Sequence, residues 1–299
     1  MPSSRPPVLP REEWRTRQAA HEERIDAWTK PHLERRRRGE KHPVMDFLFD
    51  YYAFRPAQLR SWTPGWGVRL EWDEAADGPP PKHHLMAGGL CQVDPELRVR
   101  REVLITTLRR LLAATASRPA QLGCFGLHEW AMVYGTQPGE QRHEAWPLRL
   151  GHDGTDAVVE SHQLTCTHFD AFRFFTEDAV PRNRHLPRSD DREAYEQPGC
   201  LHAGMDLYKH AFRLWPLVPS ELVADCFELA REIRVLDMEA SPYDLAALGY
   251  AAVRVETAEG KRAYVERQRE LSEKGTPLRQ RLLEACRALE SAETIPHPA

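Results

Sequence analysis

The stretch that sets the fold class is Cys200-Leu201-His202-Ala203-Gly204-Met205-Asp206-Leu207-Tyr208-Lys209-His210-Ala211-Phe212-Arg213-Leu214-Trp215. Leu201, Met205, Tyr208, Phe212 and Trp215 recur at spacings of 4, 3, 4 and 3, which is one face of an α-helix. His202, Asp206, Lys209 and Arg213 share the opposite face. A solvated polar face accounts for them, and so does a cleft lined by a general acid or base with cations beside it. A second helix follows, with Ser220 as N-cap after Pro219. Leu222, Cys226, Leu229, Ile233 and Leu236 point inward along it as far as about Met238, while Glu221, Asp225, Glu228 and Glu232 form a solvated stripe.

Working outward, the C-terminal end adds two helices, at 260–273 and 277–291, before a tail at 292–299. Towards the N-terminus, 98–115 carries an amphipathic stripe, and Gln121 to Tyr134 is apolar on nearly every side, as a central buried helix is. Val68-Arg69-Leu70-Glu71-Trp72 alternates like a half-buried strand. Leu148-Arg149-Leu150 and Ala157-Val158-Val159 flank Gly151-His152-Asp153-Gly154, a hairpin turn by composition. Residues 11–30 read as an exposed amphipathic helix stopped by Pro31, with the Arg35-Arg36-Arg37-Arg38 run as a solvated tether or a phosphate or partner contact. Val44 to Tyr52 reads as a compact aromatic-rich helix. The prediction is a mainly α (α+β) fold. An N-terminal helix and basic tether at 1–41 precede one helical domain over 42–291, with small antiparallel β insertions near 66–93 and 146–165.

Composition bounds the class. Of 299 residues, 41% are hydrophobic and 29% charged, which excludes a wholly disordered, collagenous or rod-like chain. A net charge of −4 advertises no uniformly basic surface for nucleic acid. The proline-rich start lacks the apolar core of a secretory signal, and no apolar run reaches the ~18 residues of a spanning helix. The six cysteines never form Cys-x-x-Cys and read as reduced, mostly buried thiols. A cytoplasmic protein with no membrane partner is the expectation.

Histidine and carboxylate meet in apolar surroundings at four places. In Gly126-Leu127-His128-Glu129-Trp130, His128 lies one turn after Cys124, and Glu129 is costly unless paired or neutralised. In Cys166-Thr167-His168-Phe169-Asp170-Ala171-Phe172-Arg173, a strand aims His168 and Asp170 the same way, whereas a helix sets Asp170 against Arg173. His202 and Asp206 are the third pair, and His42, Asp46 and Asp50 the fourth. Each also has a structural reading as a core hydrogen bond or an internal ion pair. A His-Glu-x-x-His zinc helix fails because Met132 stands where the second histidine belongs, and no Glu-x-x-His repeat of a di-iron bundle occurs. Dinucleotide, P-loop and serine-hydrolase motifs are missing too.

His42 to Tyr52, Cys166 to Phe175, Leu201 to Lys209 and Leu236 to Leu245 resemble a bacterial, largely actinobacterial family whose members are commonly labelled 3-methyladenine DNA glycosylases. The resemblance implies a hydrolase of DNA repair that needs no cofactor and acts on alkylated DNA or a nucleoside-like small molecule. The Leu-Pro-Gly-type turn of the helix-hairpin-helix glycosylases does not occur, so no catalytic residue transfers from that class. Such an enzyme stacks the extruded base and stabilises a sugar cation with a carboxylate. Asp170 or Asp206 fits the carboxylate role, Glu129 would position water, and Phe172 and Trp130 would stack; His128, His168, His202 and Arg173 complete the candidate set. Phosphate contacts would fall to the Arg35–Arg38 run or to the cluster Arg98, Arg100, Arg101, Arg109 and Arg110. An alternative is a metal-dependent oxygenase or hydrolase, with three or four of His128, His168, His202 and Asp206 on an iron or zinc ion. A third reading is a non-catalytic helical protein that binds another chain through its N-terminal helix. Convergence of these residues in one hollow favours an enzyme; dispersal favours binding.

Overall fold

The computed structural model describes residues 6–140 and 146–292, so the expected tail at 292–299 lies almost wholly outside the described residues. Chain order is β1 (Val8–Leu9), α1 (Arg11–Arg38), α2 (Phe47–Tyr51), α3 (Pro56–Arg60), β2 (Arg69–Glu71), α4 (Glu74–Asp77), β3 (His84–Ala87) and β4 (Leu90–Val93). Next come α5 (Pro95–Arg100), α6 (Glu102–Ala116), α7 (Leu127–Ala131), α8 (Gly151–Glu160), α9 (Phe169–Phe172) and α10 (Arg192–Tyr195). Three long helices close the chain: α11 (Leu201–Leu214), α12 (Ser220–Glu239) and α13 (Ala258–Ser291). The fold is mainly α with one small sheet, as the periodicity predicts. No described helix is long and apolar enough to cross a membrane. All six cysteines are free thiols. Two compact units emerge, one from Met1–Arg110, Tyr208–Phe227 and Gln280–Ala299, the other from Leu111–Leu207 and Glu228–Arg279. The stretch 42–291, read from the sequence as one domain, contributes to both.

In the first unit the sheet has the order β1-β2-β4-β3. The 66–93 insertion is antiparallel as expected, and Val8–Leu9 joins it in parallel, pairing Val8 with Arg69 and Leu9 with Leu70. Trp14 of α1 stacks on Trp72 at 5.1 Å, over a core of Trp62, Leu70 and Cys91. The N-terminal helix is therefore docked rather than free. It also runs through Pro31 to Arg38, so the proline does not stop it and the arginine run is its last turn, not a tether. Trp14, His21, Ile25, Thr29 and His32 bury on one stripe that continues past the proline. That burial outweighs the one ladder hydrogen bond a proline removes. Arg17 and Arg24 pair with Glu221 and Asp225, each at 2.8 Å. Gly39, at φ +71°, turns the chain out of the helix as a left-handed C-cap.

The second unit corrects three boundaries. The hairpin expected at 148–159 is helix α8, with Thr155, Val158 and Val159 buried at helical spacing. Gly154 sits tight over Leu150, where an added Cβ would stand 2.8 Å from the leucine Cβ. The apolar face at a period of 3.6 wins over the local turn composition. Among the described residues of the expected 146–165 insertion, the sheet-like contacts are two isolated bridges, Leu148 to Tyr243 and Leu164 to Asn183. Gln121 to Tyr134 is helical only over α7. Finally, the two helices expected after 258 are one, with Pro277 inside it. Its buried positions continue on both sides of the proline, from Tyr264 and Leu271 to Leu282 and Leu289.

Candidate functional site

Five segments of the second unit meet around three imidazoles. His128 and Glu129 lie on α7, His168 immediately precedes α9, Arg192 is on α10, His202 and Asp206 are on α11, and Arg234 and Asp237 are on α12. The His128 and His202 rings stand 4.5 Å apart at 88°, and those of His168 and His202 5.4 Å apart. Local chain geometry delivers each of them. Phe125 and Gly126 both take positive φ, +49° and +71°, just before α7. A Cβ on Gly126 would meet Ala240 at 3.2 Å and the Tyr264 ring at 3.3 Å, so glycine lets α7 approach closely. Trp130 Nε1 then donates to the Ala240 carbonyl at 2.8 Å. The approach to His168 is fixed by Asn183, which accepts from Cys166 N–H at 2.8 Å and donates to its carbonyl at 2.9 Å. His202 and Asp206 need only the i, i+4 spacing of one helix.

The first half of the centre is a buried charge network. His128 Nε2 donates to Asp237 Oδ1 at 2.7 Å, and Arg234 Nη1 donates to Asp237 Oδ2 at 2.7 Å and to Glu129 Oε1 at 2.9 Å. Two carboxylates, one guanidinium and one imidazole thus satisfy each other, which is how such a set tolerates burial. Asp237 is 0% exposed. Burial works against its charge, but His128 and Arg234 overcome it and hold the carboxyl well below its usual range. Burial likewise opposes a charged His128, and Asp237 raises that imidazole well above its ordinary value. His202 goes the other way: burial, reinforced by the neighbouring imidazoles, pushes it down to about 3, so it stays neutral. Cys124 Sγ lies 3.6 Å from His128 Nδ1 on the side away from Asp237.

The second half gathers around His168, which is 1% exposed. Its Nε2 lies 3.4 Å from Asp206 Oδ2 and 3.5 Å from Glu196 Oε1. Arg192 joins both acids, donating from Nη2 to Asp206 Oδ2 at 2.7 Å and from Nε to Glu196. His168 Nδ1 is buried without a hydrogen-bond partner among the described residues. Two sets of potential ligand atoms each fall within 4.8 Å: His128, His202 and Asp237, and His168, Asp170 and Asp206.

The sequence-derived residues are therefore largely gathered. His128, His168, His202 and Asp206 share the centre, with Glu129 at its back against Arg234. Asp170 stands at its edge, on a helix as one of the two readings required, and meets Arg173 at only 3.5 Å, with that arginine 45% exposed. Trp130 is completely buried, its indole spanned by Arg149, so it offers no face to a base. His42, Asp46 and Asp50 belong to the other unit. Four residues escaped the sequence reading: Asp237, Arg234, Arg192 and Glu196. A signal existed for the first, because position 237 is four after the inward Ile233 and off the solvated acid stripe. No known protein family, curated protein or solved structure matches this chain.

Proposed function

We propose that this chain is a metal-dependent enzyme whose ion is held by His128, His202 and Asp237. The observation that carries this is the meeting of two imidazoles and one carboxylate, from three different helices, with ligand atoms within 4.8 Å. A set of two histidines and one carboxylate that leaves positions open suits iron(II), and zinc is the other ion for such donors. The chain supports the set in three ways. His202 stays neutral and is only partly buried, so it keeps a lone pair to give. Arg234 holds Asp237 by Oδ2, and Oδ1 faces the imidazoles, where a bound ion would replace the proton that His128 now shares with it. Glu129 holds Arg234 in turn, an outer layer of the kind that orients ligands. Bound there, an ion supplies a Lewis acid with sites for water, dioxygen or a substrate oxygen, which keeps both oxygenase and hydrolase chemistry within reach. Elemental analysis of protein grown with added iron and zinc tests the proposal. One equivalent per chain is expected, lost in His202→Ala; a stoichiometry near zero in the unaltered protein overturns it.

A second reading rests on Cys124. Cys124, His128 and Asp237 form the sequence of thiol, imidazole and orienting carboxylate that activates a nucleophile. Sulfur would bond to an electrophilic carbon as His128 takes the thiol proton and passes it to the departing group. Stoichiometric alkylation of Cys124 by iodoacetamide with loss of turnover, at zero metal content, would favour this reading over the first. The base-excising glycosidase finds less support in the geometry. Glu129 and Asp206 are both tied to arginines. Of the proposed DNA contacts, Arg100 and Arg109 are paired with acids, and Arg98 and Arg101 with main-chain carbonyls. Release of methylated base from alkylated DNA is its assay.

A further inference from the structure

The first unit carries a separate site that the metal reading leaves unused. Between the last turn of α1 and the α2–α3 segment lies a cleft of about 450 Å³. His32 lines it and is 4% exposed. Its Nδ1 is engaged by Asp46 Oδ1 at 2.9 Å, and its ring stacks on Phe49 at 4.3 Å. Asp46 is fixed further by Arg35 and by the His42 N–H at 2.9 Å. The ring is thus clamped on one edge and one face, and its Nε2 has no protein partner among the described residues. Around this fixed imidazole stand Arg36, Lys41 and Arg55. All three are exposed, and none forms an ion pair among the described residues. Other arginines of the same unit behave differently, since Arg17, Arg24 and Arg60 each sit on a carboxylate at 2.7–2.8 Å.

Charge counting identifies the ligand's sign. Of the acids lining the cleft, Asp46 is balanced by Arg35, while Glu40 lies 3.8 Å from an Arg38 that it shares with Glu34 at 3.7 Å. Asp50 and the partly balanced Glu40 offset the three cations incompletely, so the cleft keeps an excess of at least one positive charge. A phosphate monoester carries about −1.5 to −2 at neutral pH and meets a cleft of the opposite sign. Guanidinium groups pair with phosphate oxygens through two parallel hydrogen bonds. The wall beyond the cations is apolar, formed by Phe54 and Pro56, with Phe54 stacked on Phe212 at 3.9 Å. Ala53, also on the wall, is held at φ +52°, a left-handed conformation that costs a non-glycine residue energy and is concentrated at ligand clamps. We infer that this cleft binds a small organic phosphate, its phosphate among Arg36, Lys41 and Arg55 beside the clamped His32 ring and its apolar part against Phe54.

The test is calorimetry on the full chain at low ionic strength, with phenyl phosphate, inorganic phosphate and benzoate as probes. Phenyl phosphate is expected to bind one to one, with inorganic phosphate and benzoate each weaker. In the double variant R36Q/R55Q, affinity should fall by about a hundredfold, roughly tenfold for each lost charge-assisted pair. Both positions are exposed, so the variant keeps its fold, and an unchanged circular dichroism spectrum verifies this. Absence of saturable binding, equal affinity for phenyl phosphate and benzoate, or undiminished binding by R36Q/R55Q overturns the inference. Any of these results leaves the metal content, and hence the reading of the second unit, untouched.

Discussion

The two halves of the histidine centre differ in where an arginine grips the carboxylate. Arg234 takes Asp237 by Oδ2, and His128 takes the other oxygen. Arg192 takes Asp206 by Oδ2, the same atom that faces His168, and its Nη2 comes within 3.5 Å of His168 Nε2. In the first half the guanidinium sits behind the ligand set and polarises it. In the second it stands where a cation would go. Identical residue types thus give one group that is prepared for an ion and one that already contains a positive charge. On the proposed reading, the position of the arginine, not the count of histidines and acids, would decide which half holds a metal.

Five substitutions probe that contrast. The largest effect is expected from Arg234→Met, which strands Glu129 as a buried charge and leaves Asp237 to His128 alone, and it should cost about 3–5 kcal/mol in urea unfolding. Adding Glu129→Gln should recover part of that loss, because the stranded charge is gone. Next, Asp237→Asn should weaken metal affinity by more than the roughly 10–100-fold that altering a ligand's outer partner costs, as read by competition with a chelator. Arg192→Met is the variant that breaks the contrast. With the guanidinium gone, Arg192 no longer competes with a cation at His168, Asp170 and Asp206, and on the proposed reading metal content should rise from one to two equivalents per chain. A value that stays at one would show that the arginine is not what separates the halves. The smallest effect belongs to Asp170→Asn, whose ion pair with the exposed Arg173 is loose at 3.5 Å. Its stability should change by less than about 1 kcal/mol, with metal content unaltered.

Much of this architecture is legible in the sequence where one periodicity runs uninterrupted. The stripe from Leu201 to Trp215 gives α11, and the same helix delivers His202 and Asp206 side by side. The polar face looked solvated because solvent and a buried polar centre select the same residue types. Asp206 is 2% exposed, and only its partners, from α10 and the segment before α9, reveal why. Glu129 shows the converse: its burial predicts a partner, yet Arg234 is 105 residues away and carries no local mark. Boundaries fail for a different reason. Pro31, Pro277 and the Gly-His-Asp-Gly run are stop or turn signals by local chemistry, and tertiary burial overrides all three. The proposed metal set is half legible, with two imidazoles marked by their setting and the carboxylate hidden in a helix assigned to the core.

The two-residue strand at the start of the sheet has a practical consequence. Val8 and Leu9 cover the outer flank of β2, whose other flank is taken by β4. A chain begun at residue 12 would leave the amides and carbonyls of Arg69–Glu71 open to any passing extended segment, a recognised route to self-association. Preparations meant for crystals or spectroscopy should therefore retain the first eleven residues and carry any purification handle at the opposite end.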